Sequence, residues 1–409
     1  MNKSMQFNNI KSKFPIFKQN IKGKPLIYLD SANSSQKPKT VIDEISRFYE
    51  TEFSNVGRSV HTLAVKATNK FEETRDVVKS YINAKHREEI IFTKGATEAI
   101  NLVANSFGER FIKSGDEILV TELEHHSNYV PWHYLREKKG AKIKFASVDE
   151  NGEIGIDEFK KQISNKTKII ALTHISNVTG TVMPLKKIID LARTKKIPVL
   201  IDGTQGAPHS AIDVQDLGCD FYAISCHKMY GPNGLGILYA KKKWVDELPP
   251  YQGGGGMISE VKKDEITYAN SPTKFEAGTM QTAEVVAFAK SIQFIKDLGI
   301  NNIETHESKI LEYGLEKLRK NNSVNIIGNP KNRASIMSFT IKGIHPHDIA
   351  TILDDDGVAI RAGHHCCQIL HDKLRIPASA RASIGVYNTK EDIDILCEAI
   401  NKCKKVFQI

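Results

Sequence analysis

The sequence predicts an α/β fold: a mostly parallel sheet sandwiched by helices, followed by a smaller α+β region. Three observations point there. From residue 89 onward, short β-rich runs alternate with amphipathic helical stretches, as in a parallel sheet wrapped by helices. Most of those runs end in polar residues or glycine, and in such folds ligands sit in the crevice beyond the carboxyl ends of the strands. The 409 residues also exceed the length over which one core keeps growing, so two domains sharing a crevice are expected.

Taken in order, the chain starts with a basic stretch in which six lysines precede Asp30, the first acidic residue. A targeting leader is the alternative there, but the stretch has no arginine and no apolar core segment, and Phe14-Pro15-Ile16-Phe17 reads as packing. Residues 1–20 are therefore expected to pack on the smaller domain, and residues 21–296 to form the large one. Its strands are expected at 89–93, 117–121, 142–148, 168–174, 198–202, 220–225 and 236–240. A glycine-rich loop at 249–257 and a long helix near 281–298 follow. Residues 297–409 change to helices with shorter strands at 335–341, 358–361 and 382–386, the pattern of a small α+β domain.

The formal charge of +9 comes mostly from scattered lysines, without the arginine-rich blocks or aromatic interleaving of a nucleic-acid surface. It reads as a solvated surface, with anionic small ligands as its beneficiaries. No apolar run approaches the roughly 20 residues that span a bilayer. The six cysteines come without a secretory signal, and the adjacent Cys366 and Cys367 would strain a disulfide, so a cytoplasmic compartment is expected.

The densest chemistry lies in Pro198-Val-Leu-Ile-Asp202 and Asp220-Phe-Tyr-Ala-Ile-Ser225-Cys-His227-Lys228, two apolar runs that each deliver polar groups at their ends. Pyridoxal phosphate needs such a pair: an amine to hold its aldehyde, and a carboxylate to keep its pyridine nitrogen protonated so that the ring absorbs carbanion electrons. Lys228 and Asp202 suit those roles. Singly, Asp202 reads as a turn residue and Lys228 as a surface lysine. A lysine between a buried strand and Gly231-Pro232-Asn233-Gly234 is nevertheless badly placed for simple solvation.

Gly95-Ala96-Thr97-Glu98 offers backbone N–H groups to a phosphate, although a plain strand-to-helix turn with Thr97 as N-cap looks the same. His125 could stack on the cofactor ring and exchange protons, whereas a lone histidine is more often structural. Gln205 could bond the ring's phenolic oxygen, and Ser225 and His227 flank the lysine within reach of the phosphate.

A second cluster is Arg361-Ala362-Gly363-His364-His365-Cys366-Cys367. Zinc is disfavoured, because familiar sites space their ligands by two to four residues and these are contiguous. A loop cysteine beside Arg361 and two histidines is a better nucleophile candidate, since neighbouring positive charge favours a thiolate. The bland alternative is a passive thiol. Cys219, Cys226, Cys397 and Cys403 lie in strand or helix contexts that suit small buried hydrophobes.

Together these residues resemble the group II, SufS-type cysteine desulfurases, which are fold-type I pyridoxal-phosphate enzymes. The likeness runs from Tyr28-Leu29-Asp30-Ser31-Ala32 through Gly95-Ala96-Thr97-Glu98, Glu124-His125-His126, His174-Ile175-Ser176-Asn177, Asp202-Gly-Thr-Gln205, Ser225-Cys-His227-Lys228 and Phe275-Glu-Ala-Gly-Thr279 to Arg381-Ala382-Ser383. The Arg-x-Gly-His-His-Cys loop discriminates most, because the IscS and NifS type carries a longer cysteine loop.

The resemblance implies Lys228 as the covalent anchor, Asp202 and Gln205 for ring polarisation, and His125 for stacking and proton transfer. It implies Ala96, Thr97, Ser225 and His227 for the phosphate, joined by Thr279 from the second subunit of a homodimer. Asn177 and Arg381 would hold the substrate carboxylate, with Arg361 and Arg58 as further substrate contacts, and Cys366 would accept sulfur. It further implies L-cysteine as substrate, a sulfur-acceptor protein of SufE or SufU type and a place in iron–sulfur cluster assembly. Selenocysteine cleavage or an aminotransferase-like reaction is the nearest alternative, and a cofactor-free sulfur carrier a more distant one. Asn33 departs from the pattern where a small alanine is common, as do Gly57-Arg58-Ser59, Cys226, Met280 and Cys367.

Overall fold

The computed structural model describes residues 7, 9–57 and 59–408. Seven runs become one sheet: β1 (Ile90–Thr93), β2 (Glu117–Thr121), β3 (Lys142–Ala146), β4 (Thr167–Thr173), β5 (Val199–Asp202), β6 (Phe221–Ser225) and β7 (Gly236–Ala240). Their order across the sheet is β1-β7-β6-β5-β4-β2-β3. β7 runs antiparallel to both neighbours, and the other pairings are parallel. The carboxyl ends of β1, β2, β4, β5 and β6 therefore lie along one edge, with the first residue of β7 among them.

Side chains alternate between two cores, as the period of two requires. Ile118, Val120, Ile169, Ala171, Leu200, Phe221 and Ala223 pack to one side, with the helix α2 (Ala96–Phe111). Leu119, Ile170, Leu172, Val199, Ile201, Tyr222 and Ile224 pack to the other. Burial on both faces explains why the inner strands read as near-continuous hydrophobic runs, unlike the edge strand β3 with its two lysines.

β1 is an edge strand, and its outer side is covered by side chains. Arg75, on the helix α1 (Thr62–Tyr81), donates to the Ile90 carbonyl at 2.8 Å and makes a two-pronged ion pair with Glu276 at 2.7 and 2.9 Å. Glu276 Oε1 also accepts the Phe92 backbone N–H at 2.7 Å. The pair satisfies edge groups that would otherwise invite another strand.

Beyond α3 (Thr282–Leu298) and α4 (Ile300–Arg319), an antiparallel sheet is built from β8 (Val324–Ile326), β9 (Ile336–Ile341), β10 (Arg361–Gly363) and β11 (Ser379–Ser383), in the order β8-β9-β11-β10. Its core takes Ile310 and Leu311 from α4 and Ile393 and Leu396 from α5 (Lys390–Val406). Two expectations need correction. The run at 358–361 divides, Val358–Ala359 pairing with Ile27–Tyr28 while β10 joins the sheet. The run at 382–386 lies three residues earlier, because after Ser383 the Ile384 N–H turns away to the Ser335 carbonyl and Gly385 and Asn388 close a turn.

Phe14 is buried edge-on against Tyr387, Phe294 and Tyr230, with centroids 5.1, 5.6 and 6.1 Å away, whereas Ile16 is exposed. Residues 27–35 then thread between the two sheets. Ser35 donates both its N–H and its hydroxyl to the His227 carbonyl.

Candidate active site

The strand ends meet in one cleft. It is lined by Ala96 and Thr97 after β1, His125 and Ser127 after β2, and Thr173, Ile175 and Asn177 at and after β4. Asp202, Thr204 and Gln205 come from β5, and Ser225, His227 and Lys228 from β6. The opposite wall carries Arg361, Cys366 and Arg381, with Ala32 and Asn33 from the connecting segment. Thus twelve of the fourteen residues expected at the site converge.

At the end of β5, Asp202 is buried and accepts the Thr204 N–H on Oδ1 at 3.0 Å. Gln205 donates Nε2 to the Ala32 carbonyl at 2.6 Å, leaving its Oε1 and the Thr204 hydroxyl buried without partners among the described residues. Buried polar atoms left this way call for a bound polar group or water. Lys228 Nζ likewise has no hydrogen-bond or ion-pair partner there. Burial, reinforced by Arg381 and opposed by Asp202, lowers its pKa to about 8.

α2 begins at Ala96, with Gly95 rather than Thr97 in the capping position. The Ala96 N–H donates to Ser225 Oγ at 3.0 Å, which ties the helix start to the end of β6. Thr97 is exposed at the first turn. His227 places Nδ1 3.2 Å from Ser34 Oγ, and burial with Lys228 nearby lowers its pKa to about 4. His125 Nδ1 accepts the Ser127 N–H at 3.1 Å, so the neutral ring carries its proton on Nε2. Burial and then Lys228 push its pKa down to about 3, which keeps it neutral at physiological pH.

The opposite wall owes its geometry to strand register. Arg361 and Arg381 are direct cross-strand partners on β10 and β11. Two like charges placed so repel. Arg381, fully buried, donates Nη1 to the Asn177 carbonyl at 2.9 Å and Nη2 to Asp30 at 3.3 Å, and its Nε has no partner among the described residues. Burial lowers its pKa to about 10.

Cys366 follows in a tight loop. His365 and Cys366 occupy the left-handed region consecutively, at φ 52° and 56°. That strain, roughly 1–3 kcal/mol per residue, persists only where contacts over-determine it. Here the Cys366 carbonyl accepts the His126 N–H at 2.7 Å, the His365 carbonyl accepts Asn177 Nδ2 at 2.7 Å, and the His365 ring rests on Ser379. The half-buried Cys366 Sγ thereby faces the cleft, 3.7 Å from Arg361 Nη2. Cys367 points away: it is buried against the Leu123 carbonyl, and burial raises its pKa.

Two expected residues fall elsewhere. Thr279 is exposed beside a separate hollow with Gly278 and Met280, and Arg58 lies outside the described residues. The sequence reading missed Ala32 and Asn33 on the connecting segment and, at the strand ends, Ser127, Thr173, Ile175 and Thr204. Ser127, two residues after His125, carried a legible signal as a turn-forming hydroxyl; those at the other strand ends have no distinguishing residue type.

Residues 27–396 match the aminotransferase class-V family. A protein of Halalkalibacterium halodurans described as a probable cysteine desulfurase is 45% identical, the alignment covering 98% of this chain and 99% of that one. The crystal structure of the cysteine desulfurase CsdA from Escherichia coli superposes with a TM-score of 0.91 at 34% identity, covering 99% of each chain. The apo structure of a cysteine desulfurase from Thermococcus onnurineus superposes at 0.92 and 34% identity, covering 97% of this chain and 98% of that one.

Proposed function

The chain belongs to the cysteine desulfurases of the aminotransferase class-V family, and from that premise we propose that it transfers sulfur from L-cysteine to Cys366 and releases L-alanine, with pyridoxal phosphate as cofactor. The observation that carries this reading is the convergence in one cleft of an unpartnered amine at Lys228, a strand-end carboxylate at Asp202 and the Cys366 thiol from the other sheet.

The residues present fit the cofactor, since Lys228 Nζ, Thr204 Oγ1 and Gln205 Oε1 are polar atoms awaiting partners. Lys228 would hold its aldehyde, Asp202 its pyridine nitrogen, Gln205 its phenolic oxygen and His125 its ring face. Ala96, Thr97, Ser225 and His227 would hold its phosphate, joined by Thr279 of a second copy in a homodimer. When bound, pyridoxal phosphate supplies an electron-accepting ring that makes the substrate's Cα proton removable.

Freed when the substrate's amine takes its place on the aldehyde, the Lys228 amine, lowered to about 8, would accept that proton near neutral pH more readily than an ordinary lysine. Asn177 and Arg381 orient the substrate carboxylate, with Arg361 and Arg58 as further contacts. Cys366 Sγ then bonds to the substrate sulfur as the carbon–sulfur bond breaks; its electron pair stays on carbon, which takes a proton and departs in alanine. A persulfide remains on Cys366 for an acceptor protein of SufE or SufU type, in cytoplasmic iron–sulfur cluster assembly. The division at residue 297 belongs to the same reading, supported by Gly299 (φ 76°) separating α3 from α4.

Replacing Cys366→Ala tests the assignment. Alanine formation is expected to fall to background while the protein keeps its cofactor absorbance. Undiminished alanine formation would contradict it.

A further inference from the structure

Asn33 stands at the cleft mouth between the two arginines. Its Oδ1 accepts Arg361 Nη1 at 2.6 Å, and its Nδ2 donates to Asp30 Oδ2 at 3.1 Å. Asp30 Oδ1 in turn accepts Arg381 Nη2 at 3.3 Å. Arg381 has a second anchor in the Asn177 carbonyl, but among the described residues the Arg361 side chain is hydrogen-bonded only by Asn33 and the Cys366 sulfur. Cross-strand repulsion from Arg381 would drive the Arg361 guanidinium outward, and Asn33 opposes it.

The choice of an amide matters chemically. An amide oxygen holds a guanidinium without neutralising it, whereas a carboxylate at the same position would quench the charge. Alanine would offer no bond at all. Asp30 is bonded to Arg381 directly and to Arg361 only through Asn33, so the guanidinium beside the sulfur is the one with no carboxylate bonded to it among the described residues.

We infer that Asn33 is a positioning residue that fixes Arg361, with its charge intact, against Cys366 and so favours anionic reactants at that sulfur. The inference rests on Cys366 being the sulfur acceptor and extends it to the selection of reactants that approach that sulfur.

The test is the alkylation of Cys366 in the purified holoenzyme by iodoacetate and by iodoacetamide, with the modified peptide quantified by mass spectrometry. The two reagents differ chiefly in charge, so their rate ratio reports the field at the sulfur, which a merely structural role for Asn33 would not change. Asn33→Ala is expected to lower the iodoacetate-to-iodoacetamide ratio by about 2- to 10-fold, the range of one net hydrogen bond. Asn33→Asp should lower it as well, because it still accepts from Arg361 but cancels its charge, although it gives up the donor to Asp30 and so costs some stability. Arg361→Ala should lower it at least as far. Wild-type ratios in both Asn33 variants, or in Arg361→Ala, would overturn the inference; should Asn33→Ala not fold, a wild-type ratio in Asn33→Asp alone overturns it. Alanine release from cysteine by the unaltered protein tests the underlying reading separately: its absence removes the desulfurase assignment, while the alkylation ratio still reports on Asn33.

Discussion

Lys228 occupies a place where an ammonium is poorly tolerated, and the consequence is measurable. Burial lowers its pKa from 10.5 to about 8, so in the cofactor-free protein its protonation opposes folding. Worked through linkage, a lysine depressed in the folded state destabilises fully below its folded pKa, and the penalty fades as pH rises from about 8 to 10.5. Lys228→Met should therefore stabilise the cofactor-free protein at pH 7 by the order of 3 kcal/mol, with the gain vanishing near pH 10.5, as chemical denaturation at the two pH values would show. A pH-independent gain would contradict this. Lys228 and Asp202 were legible in the sequence because Asp202 ends one apolar run and Lys228 lies just beyond the end of another. The pairing of Arg361 with Arg381 was not, since antiparallel register between residues 20 apart is set by the whole sheet. The same holds for the bond between Asn33 and Arg361, which lies far along the chain from it.

The elements hold the site by close approach. Gly236, the first residue of β7, pairs with both Thr93 and Ser225, and a Cβ built there would lie 2.4 Å from the Gly95 backbone. Gly236→Ala must therefore push β7 away from the start of α2 and draw the Ala96 N–H off Ser225. An overpacking penalty of roughly 1–3 kcal/mol is expected, with weaker retention of pyridoxal phosphate in equilibrium dialysis. Wild-type retention would show that the α2 terminus does not contribute to cofactor binding. The inner strands of the large sheet were readable because burial on both faces fills them with apolar residues, while the edge strand β3 was readable from Ile143 and Phe145 alternating with lysines. β11 was misplaced by three residues because Ser379-Ala-Arg-Ala-Ser383 is strand by pairing alone, and its small residues carry no such pattern.

For the whole molecule, the buried histidines set acid stability. Burial lowers His174 and His227 to about 4, His125 to about 3 and His365 to about 2. The unfolded chain takes up protons near pH 6.5 that the folded chain refuses, so stability is present above that value and is lost as pH falls below it. Each such histidine contributes up to about 1.4 kcal/mol per pH unit. Glu124, raised to about 8 by burial, acts oppositely between pH 4.5 and 8, where the folded chain holds the extra proton. Denaturant midpoints of the cofactor-free protein should accordingly fall steeply below pH 6; a flat profile from pH 7 to 4.5 would refute the histidine account. The central claim, that the cleft joins a cofactor on one sheet to a sulfur acceptor on the other, is tested most directly by mass spectrometry of the holoenzyme after brief exposure to L-cysteine. One added sulfur atom on the peptide containing Cys366, absent when Lys228 is replaced, is the predicted result. An unmodified Cys366 in protein that is releasing alanine would contradict it.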